Sequence, residues 1–213
     1  GKREPHRAAV FQQARQAGVQ FRDRVGLVGP PRGGTQARVL GPPRPALLRG
    51  VVLNDVGPVL ESKGMARIKQ VVGKLPAPTS LDDAVDLMKR MNSALFSGLS
   101  DDEWRHFART TFERVGGGYG MTYDPQLMKT LEGLDTEQPL PTLWPFFEGL
   151  ANVPALVLRG ENSDLLSAEA TREMCVRHKR CAEYVVPGQA HAPLIADQPT
   201  IARVSAFVAS CDR

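Results

Sequence analysis

The stretches Val157–Asp164 (VLRGENSD) and Pro187–Leu194 (PGQAHAPL) decide how this chain is interpreted. Each follows a short run of apolar, mostly β-branched residues, so each is predicted to be a loop after a strand. Open α/β sheets carry their chemistry at the carboxyl ends of strands. We therefore expect Asp164 and His191 to meet at one edge of a parallel sheet. A carboxylate that orients a histidine, and a histidine that acts as a base, form two thirds of a nucleophilic triad.

Length and composition indicate one globular domain. The chain has 213 residues, of which 42% are hydrophobic and 23% charged, as in ordinary soluble proteins. No apolar run approaches the roughly 18 residues of a membrane span, and no signal peptide is apparent, so we expect no membrane partner. Three cysteines without CxxC spacing favour reduced thiols in a cytoplasmic setting over disulfides or a metal site. The first residue is Gly1 rather than Met, so we expect a missing upstream part.

The net charge of +4 is distributed unevenly along the chain. Residues 1–50 hold ten Lys and Arg against two acids, a net charge of +8, which leaves −4 for the rest. A basic arm can bind phosphates, so nucleic-acid association is kept as a third interpretation. The arm lacks the aromatic interleaving of single-strand binders and carries no recognised nucleic-acid motif. We favour an irregular basic segment over residues 1–23 and no nucleic-acid partner.

Hydrophobic periodicity predicts alternating strands and helices with a long helical segment between them. Buried strands are predicted at four places, namely residues 25–28, 50–55, 153–159 and 182–186. Helices are predicted at about 167–178 and after Asp197, which can cap the last one. Residues 60–150 are predicted to be helices and loops, with Ser80 as an N-cap and a capping box that begins at Ser100. This order predicts an α/β protein with a parallel sheet of about four strands and right-handed crossovers.

Four segments of the chain resemble the C-terminal two thirds of an α/β-hydrolase, over roughly residues 24–213. They are Val28–Gly34 (VGPPRGG), Leu53–Pro58 (LNDVGP), Leu158–Leu165 and Gly188–Leu194. The resemblance implies that residues 24–59 and 151–213 form part of the hydrolase core. It also implies that residues 60–150 form a helical cap over the active site.

The resemblance also implies roles for individual side chains. Asp164 would be the triad acid and His191 the general base, which needs no metal or organic cofactor. Asp55 is an alternative acid, because a carboxylate after that strand supplies the acid in some relatives. The non-catalytic interpretations stay open at this point: Asp164 as a turn or helix-capping residue, His191 as an ordinary loop histidine, and Asp55 as an organiser of the loop that enters the cap.

The nucleophile is where the chain departs from the family pattern G-x-S-x-G-G. The corresponding frame, Gly29–Gly34, is GPPRGG, with Pro31 at the serine position. Proline has no nucleophilic atom and no N–H, and its restricted φ suits a strained elbow badly. The backbone N–H of Arg32 would be an oxyanion donor. No serine of the chain lies on a G-x-S-x-G turn, and this holds for Ser62, Ser163 and Ser167.

The predicted function follows from these residues. We expect an N-terminally incomplete member of a lineage that hydrolyses small apolar esters or related substrates by nucleophilic catalysis. We expect the chain as written to be inactive, because the elbow serine is replaced by Pro31. The alternative is a non-catalytic protein that binds small apolar ligands near Trp144 and Phe147. The sequence defines no oligomeric state.

Overall fold

The computed structural model describes residues 25–28, 49–71, 74–122 and 135–211. In chain order, the helices and strands are β1 (Val25–Val28), β2 (Gly50–Asn54), α1 (Ser62–Val71), α2 (Leu81–Asn92), α3 (Asp101–Thr111), β3 (Phe112–Val115), β4 (Gly118–Met121), α4 (Trp144–Glu148), β5 (Ala155–Gly160), α5 (Ala168–Arg177), β6 (Cys181–Val186) and α6 (Gln198–Cys211). No helix in these ranges is both long and apolar enough to cross a bilayer.

The main sheet has four parallel strands in the order β1-β2-β5-β6. Leu53 of β2 pairs with Val28 on one side and with Val157 on the other, which sets the register. All five residues of β2 are buried, and so are five of the six in β5, as is typical of central strands of a parallel sheet. The predicted α/β fold with a parallel sheet of about four strands is confirmed.

Helices cover both faces of this sheet. Alternate residues of a strand point to opposite sides, so the central strands contribute to a hydrophobic cluster on each face. On one face, Leu53 and Val157 pack in a cluster that includes Met174 of α5 and Phe147 of α4. On the other face, the cluster is formed by β2, β5 and β6 residues against α6: Val52, Leu156, Leu158, Val186, Val204, Phe207 and Val208. The two clusters hold the strand ends in place and so position the loops that follow them.

The predicted helix starts are confirmed by hydrogen bonds. Ser80 accepts a bond from the Asp83 N–H at 3.0 Å and begins α2. Ser100 and Glu103 form the reciprocal capping box of α3. The Asp197 carboxylate accepts a bond from the Thr200 N–H at 2.8 Å at the start of α6. These local signals could be predicted because each cap depends on residues only three positions apart.

The segment between β2 and β5 contains an antiparallel hairpin that the sequence analysis did not predict. Strands β3 and β4 pair through Val115 and Gly118, with Gly116 at φ +60° in the turn between them. Glycine adopts this left-handed conformation without a Cβ clash. The glycines of Gly116–Gly118 indicate a tight turn, but the helical spacing of the apolar residues before them favours a helix over a hairpin strand. The predicted cap over residues 60–150 therefore includes strands as well as helices and loops.

Candidate active site

Asp55 lies immediately after β2, at the carboxyl end of the sheet. Its φ of +54° is left-handed, a conformation that Asp tolerates better than most residues. Its N–H donates to the Leu158 carbonyl at 2.7 Å, which continues the pairing with β5 by one residue. The side chain is fully buried. This backbone turn directs the carboxylate across the ends of the strands.

His191 lies on the loop between β6 and α6, and several hydrogen bonds hold that loop. Asn54 at the end of β2 donates from Nδ2 to the Pro193 carbonyl at 3.0 Å. Within the loop, the Leu194 N–H donates to Oε1 of Gln189 at 2.8 Å. The inserted segment contributes as well, because the Ser97 N–H donates to the Gly188 carbonyl at 2.9 Å. These bonds fix the backbone of the loop, and the His191 side chain is only 5% exposed.

The imidazole of His191 and the carboxylate of Asp55 form a buried pair. Nδ1 of His191 lies 2.8 Å from Oδ2 of Asp55. The same carboxylate accepts bonds from the Ser163 hydroxyl at 2.6 Å and from the Gly160 N–H at 2.8 Å. Since a carboxylate accepts hydrogen bonds, the ring donates through Nδ1, and in the neutral imidazole this leaves the lone pair on Nε2. This is the tautomer that a general base requires.

Gly160, the last residue of β5, allows the histidine loop to approach the sheet closely. A Cβ at this position would lie 2.6 Å from the carbonyl oxygens of both Gln189 and Ala190. Any side chain here would push the loop outward, because both clashing atoms belong to the backbone. The glycine therefore helps to bring His191 within hydrogen-bonding distance of Asp55.

Asp164, the acid that the sequence analysis favoured, has a different partner. Its two carboxylate oxygens accept bonds from Arg67 of α1, from Nε at 2.6 Å and from Nη2 at 2.8 Å. Partial burial acts to raise the pKa of Asp164, but the hydrogen bonds and positive charge of Arg67 outweigh it and lower that pKa. The structure thus places Asp55, the alternative acid, in direct contact with His191, while Asp164 bonds to Arg67 and interacts with His191 only as a more distant charge.

The other residues that the sequence analysis considered are placed as follows. Ser163 donates to Asp55 and accepts bonds from the N–H groups of Leu165 and Leu166, so its hydroxyl organises the turn after β5. Phe147 is buried in the core, and Trp144 stacks on the Arg177 guanidinium at 3.9 Å. Pro31 and Arg32, the predicted elbow and oxyanion donor, lie outside the described residues.

No group of three or more His, Cys, Asp or Glu side chains in the described ranges is arranged to hold a metal ion.

Arg67 and Gly160 are the site residues that sequence reasoning missed. Arg67 carries no local motif, because its contact with Asp164 spans 97 positions. Gly160 was visible as a glycine between a strand and a polar loop, which is a common signal of close backbone approach.

A parallel sheet covered by helices on both faces, with a buried Asp–His pair at the carboxyl ends of its strands, defines an open α/β protein with its candidate site at the usual edge of the sheet. Comparison with known proteins shows which proteins the chain is similar to. The chain is 31% identical over 169 residues to a 3-hydroxybutyrate-oligomer hydrolase of Cupriavidus necator, a match that covers 75% of this chain and 56% of that protein. The chain thus spans little more than half the length of this relative.

Solved structures agree with the sequence relative. An α/β hydrolase from Novosphingobium aromaticivorans superimposes with a TM-score of 0.76 at 26% identity, over 94% of this chain and 69% of that one. E-2-(acetamidomethylene)succinate hydrolase superimposes with a TM-score of 0.65 at 20% identity, over 95% and 72%, which shows a shared fold. No protein-family model matches the chain. The chain therefore has a partial α/β-hydrolase fold and is similar to hydrolases that share it.

Proposed function

We propose that this chain carries the acid–base half of an ester-hydrolase site, with His191 as the general base and Asp55 as the acid that orients it. The observation that carries the proposal is the 2.8 Å contact between Nδ1 of His191 and Oδ2 of Asp55, both buried at the carboxyl end of the sheet. In such a site Nε2 removes the proton of an attacking hydroxyl and later returns it to the leaving group.

The proposed substrate is a small, largely apolar ester. The relative from Cupriavidus necator is named for the hydrolysis of 3-hydroxybutyrate oligomers, and hydroxy acids joined head to tail are linked by ester bonds. The inserted segment supports an apolar ligand, because its hydrophobic cluster extends to Ala190 and Leu194 on either side of His191. We propose that residues 60–150 cap the site from this side.

The proposal includes inactivity of the chain as written. Pro31 occupies the position that serine takes in the G-x-S-x-G-G frame, and proline offers no atom that can attack an ester carbonyl. Removal of a triad nucleophile typically costs several orders of magnitude in turnover. The Asp55–His191 pair would then hold its geometry without a hydroxyl to activate.

The experiment restores the missing hydroxyl. Pro31→Ser is expected to raise turnover of p-nitrophenyl butyrate and of a 3-hydroxybutyrate dimer by at least 10³-fold over the parent chain, roughly the reverse of the loss of a nucleophile. Adding His191→Ala should remove the gain. Labelling by a fluorophosphonate should appear with Pro31→Ser and be absent from the parent chain.

Two further variants distinguish the acids. In the Pro31→Ser background, Asp55→Asn is expected to lower kcat by roughly 10⁴-fold, because the imidazole loses the partner that fixes its tautomer. Asp164→Asn serves as the matched control and should retain most of the activity. A larger loss of activity with Asp164→Asn than with Asp55→Asn would assign the role of the acid to Asp164. Esterase activity of the parent chain that is abolished by His191→Ala would refute the proposed inactivity.

A further inference from the structure

Two cysteines outside the candidate active site lie in contact. Cys175 is on α5 and Cys181 is the first residue of β6, and their sulfur atoms are 3.2 Å apart. Cys175 and Cys181 are free thiols and are partly exposed, whereas Cys211 is buried. We propose that Cys175 and Cys181 form a dithiol site that is reversibly oxidised to a disulfide by small-molecule disulfides such as oxidised glutathione.

A short, well-anchored turn holds the two thiols together. His178 ends α5, and its buried ring lies with Nε2 2.8 Å from the Leu150 carbonyl, while Nδ1 accepts the Arg180 N–H at 3.2 Å. The Cys181 N–H donates to the His178 carbonyl at 2.9 Å. The chain reversal over residues 178–180 is therefore tied at both ends. Closing the sulfur distance to the roughly 2.05 Å of a disulfide needs a movement of little more than 1 Å.

The environment also sets the order of reaction at the two sulfurs. Burial raises the pKa of Cys175, although its hydrogen bond with Cys181 partly offsets this rise. Burial raises the pKa of Cys181 further, and the neighbouring Cys175 sulfur adds to that rise. Cys175 is the less buried of the two thiols, so a dissolved disulfide reaches it first, and its thiolate is the nucleophile in exchange.

The chemistry balances with glutathione alone. The Cys175 thiolate attacks one sulfur of oxidised glutathione, which forms a mixed disulfide and releases one glutathione thiolate. Cys181 then loses its proton to solvent and attacks the Cys175 sulfur, which forms the protein disulfide and releases the second glutathione. Two protein thiols are oxidised and one glutathione disulfide is reduced to two thiols. Excess reduced glutathione reverses both steps.

The site is separate from the proposed active site. Cys181 begins β6 and His191 follows its end, so the two positions are separated by the length of the strand, roughly 20 Å at about 3.3 Å per residue. The inference therefore holds whether or not the chain descends from active esterases. Cys181 packs against the core cluster that contains Met174, so the disulfide would tie the end of α5 to the sheet at the edge opposite His191.

The test measures the disulfide directly. The protein is equilibrated with reduced and oxidised glutathione, acid-quenched, alkylated and digested with trypsin. We expect a cross-linked pair of peptides, Glu173–Arg177 with Cys181–Arg203. The equilibrium constant for this bond should be at least tenfold larger in the folded protein than in the same chain unfolded in urea, because the fold raises the effective concentration of one thiol at the other.

Single variants identify the roles of the sulfurs. Cys181→Ser should stop the reaction at a glutathione adduct on Cys175, and Cys211→Ser should leave the yield of the cross-link unchanged. Glutathione adducts without a cross-link in the folded parent chain would overturn the proposal. So would an equal equilibrium constant in folded and unfolded protein, a comparison that needs no variant to fold.

Discussion

Asp55 and Asp164 both lie at the carboxyl end of the sheet, yet their neighbours give them different tasks. The Asp55 carboxylate accepts bonds from Gly160, Ser163 and His191. Asp164 comes four residues after β5 ends, and its two oxygens are taken by Arg67. Residue type and spacing predicted a histidine with a nearby acid. The choice between the two acids depended on side-chain directions and on a distant arginine, which no local pattern reveals.

The Arg67–Asp164 pair gives a prediction about pH. Because Arg67 lowers the pKa of Asp164 in the folded protein, the pair stabilises the fold above the unfolded pKa of Asp and loses this effect as pH falls through the folded value. Arg67→Met should lower the free energy of unfolding by about 2 kcal/mol near pH 7, as expected for hydrogen bonds to a charged group. The difference should shrink steadily below about pH 4.

Urea denaturation of both proteins from pH 3 to pH 8 measures this difference. Arg172→Met is the control, because its pair with Glu169 is well exposed, and it should change stability by less than about 0.5 kcal/mol. A difference for Arg67→Met that stays constant down to pH 3 would mean that packing of the arginine, rather than its charge, supports the acid loop.

At the scale of elements, the close fit between α1 and the loop after β5 depends on Gly64. A Cβ on Gly64 would lie 2.5 Å from the Asp164 carbonyl oxygen and 2.7 Å from the Cα of Leu165. The Glu61 N–H also donates to the Leu165 carbonyl at 2.8 Å, so the start of the helix is joined to the same loop. The helix itself could be predicted from its apolar spacing. Its contact with a loop about 100 residues away could not, because a glycine in a helix has several explanations.

We predict that Gly64→Ala destabilises the protein although alanine is the better helix former. Helix propensity alone would add about 1 kcal/mol of stability. The clash with backbone atoms should outweigh this gain and lower the free energy of unfolding by about 1–3 kcal/mol, as overpacking does elsewhere. Chemical denaturation gives the value. Gly98→Ala is the matched control, since a Cβ there meets no atom within 4 Å. A stabilised Gly64→Ala protein would show that α1 can move away from the acid loop without cost.

At the scale of the whole molecule, the inserted segment and the histidine loop share one hydrophobic cluster. Trp104 of α3 packs against Phe96 and Phe107, with ring centroids 6.4 and 6.0 Å apart. Ala190 belongs to the same cluster, and Leu194 packs against it. The position of His191 is therefore coupled to the packing of a segment roughly 100 residues earlier in the chain. Sequence periodicity indicated that segment's apolar stripes, but not that they close over the loop that carries the base.

This coupling predicts how a single cavity spreads through the molecule. Trp104→Ala removes a side chain that is only 6% exposed, a change that typically costs about 3–5 kcal/mol. We expect faster hydrogen exchange in residues 84–112 and also in residues 188–195, because both lose packing against the same cluster. Exchange in β5 should stay unchanged, because β5 packs in the two clusters on the faces of the sheet, and Trp104 belongs to neither of them.

Hydrogen-exchange mass spectrometry resolves these three regions in one experiment. Val115→Ala is the matched control in the same segment. Val115 is 59% exposed, so its substitution should leave hydrogen exchange unchanged in all three regions. Faster exchange in residues 84–112 alone would separate the insertion from the histidine loop. An equal increase that includes β5 would instead mean that the insertion and the sheet unfold as one cooperative unit. Faster exchange in residues 84–112 and 188–195, but not in β5, would show that the cluster supports the loop that holds His191 against Asp55.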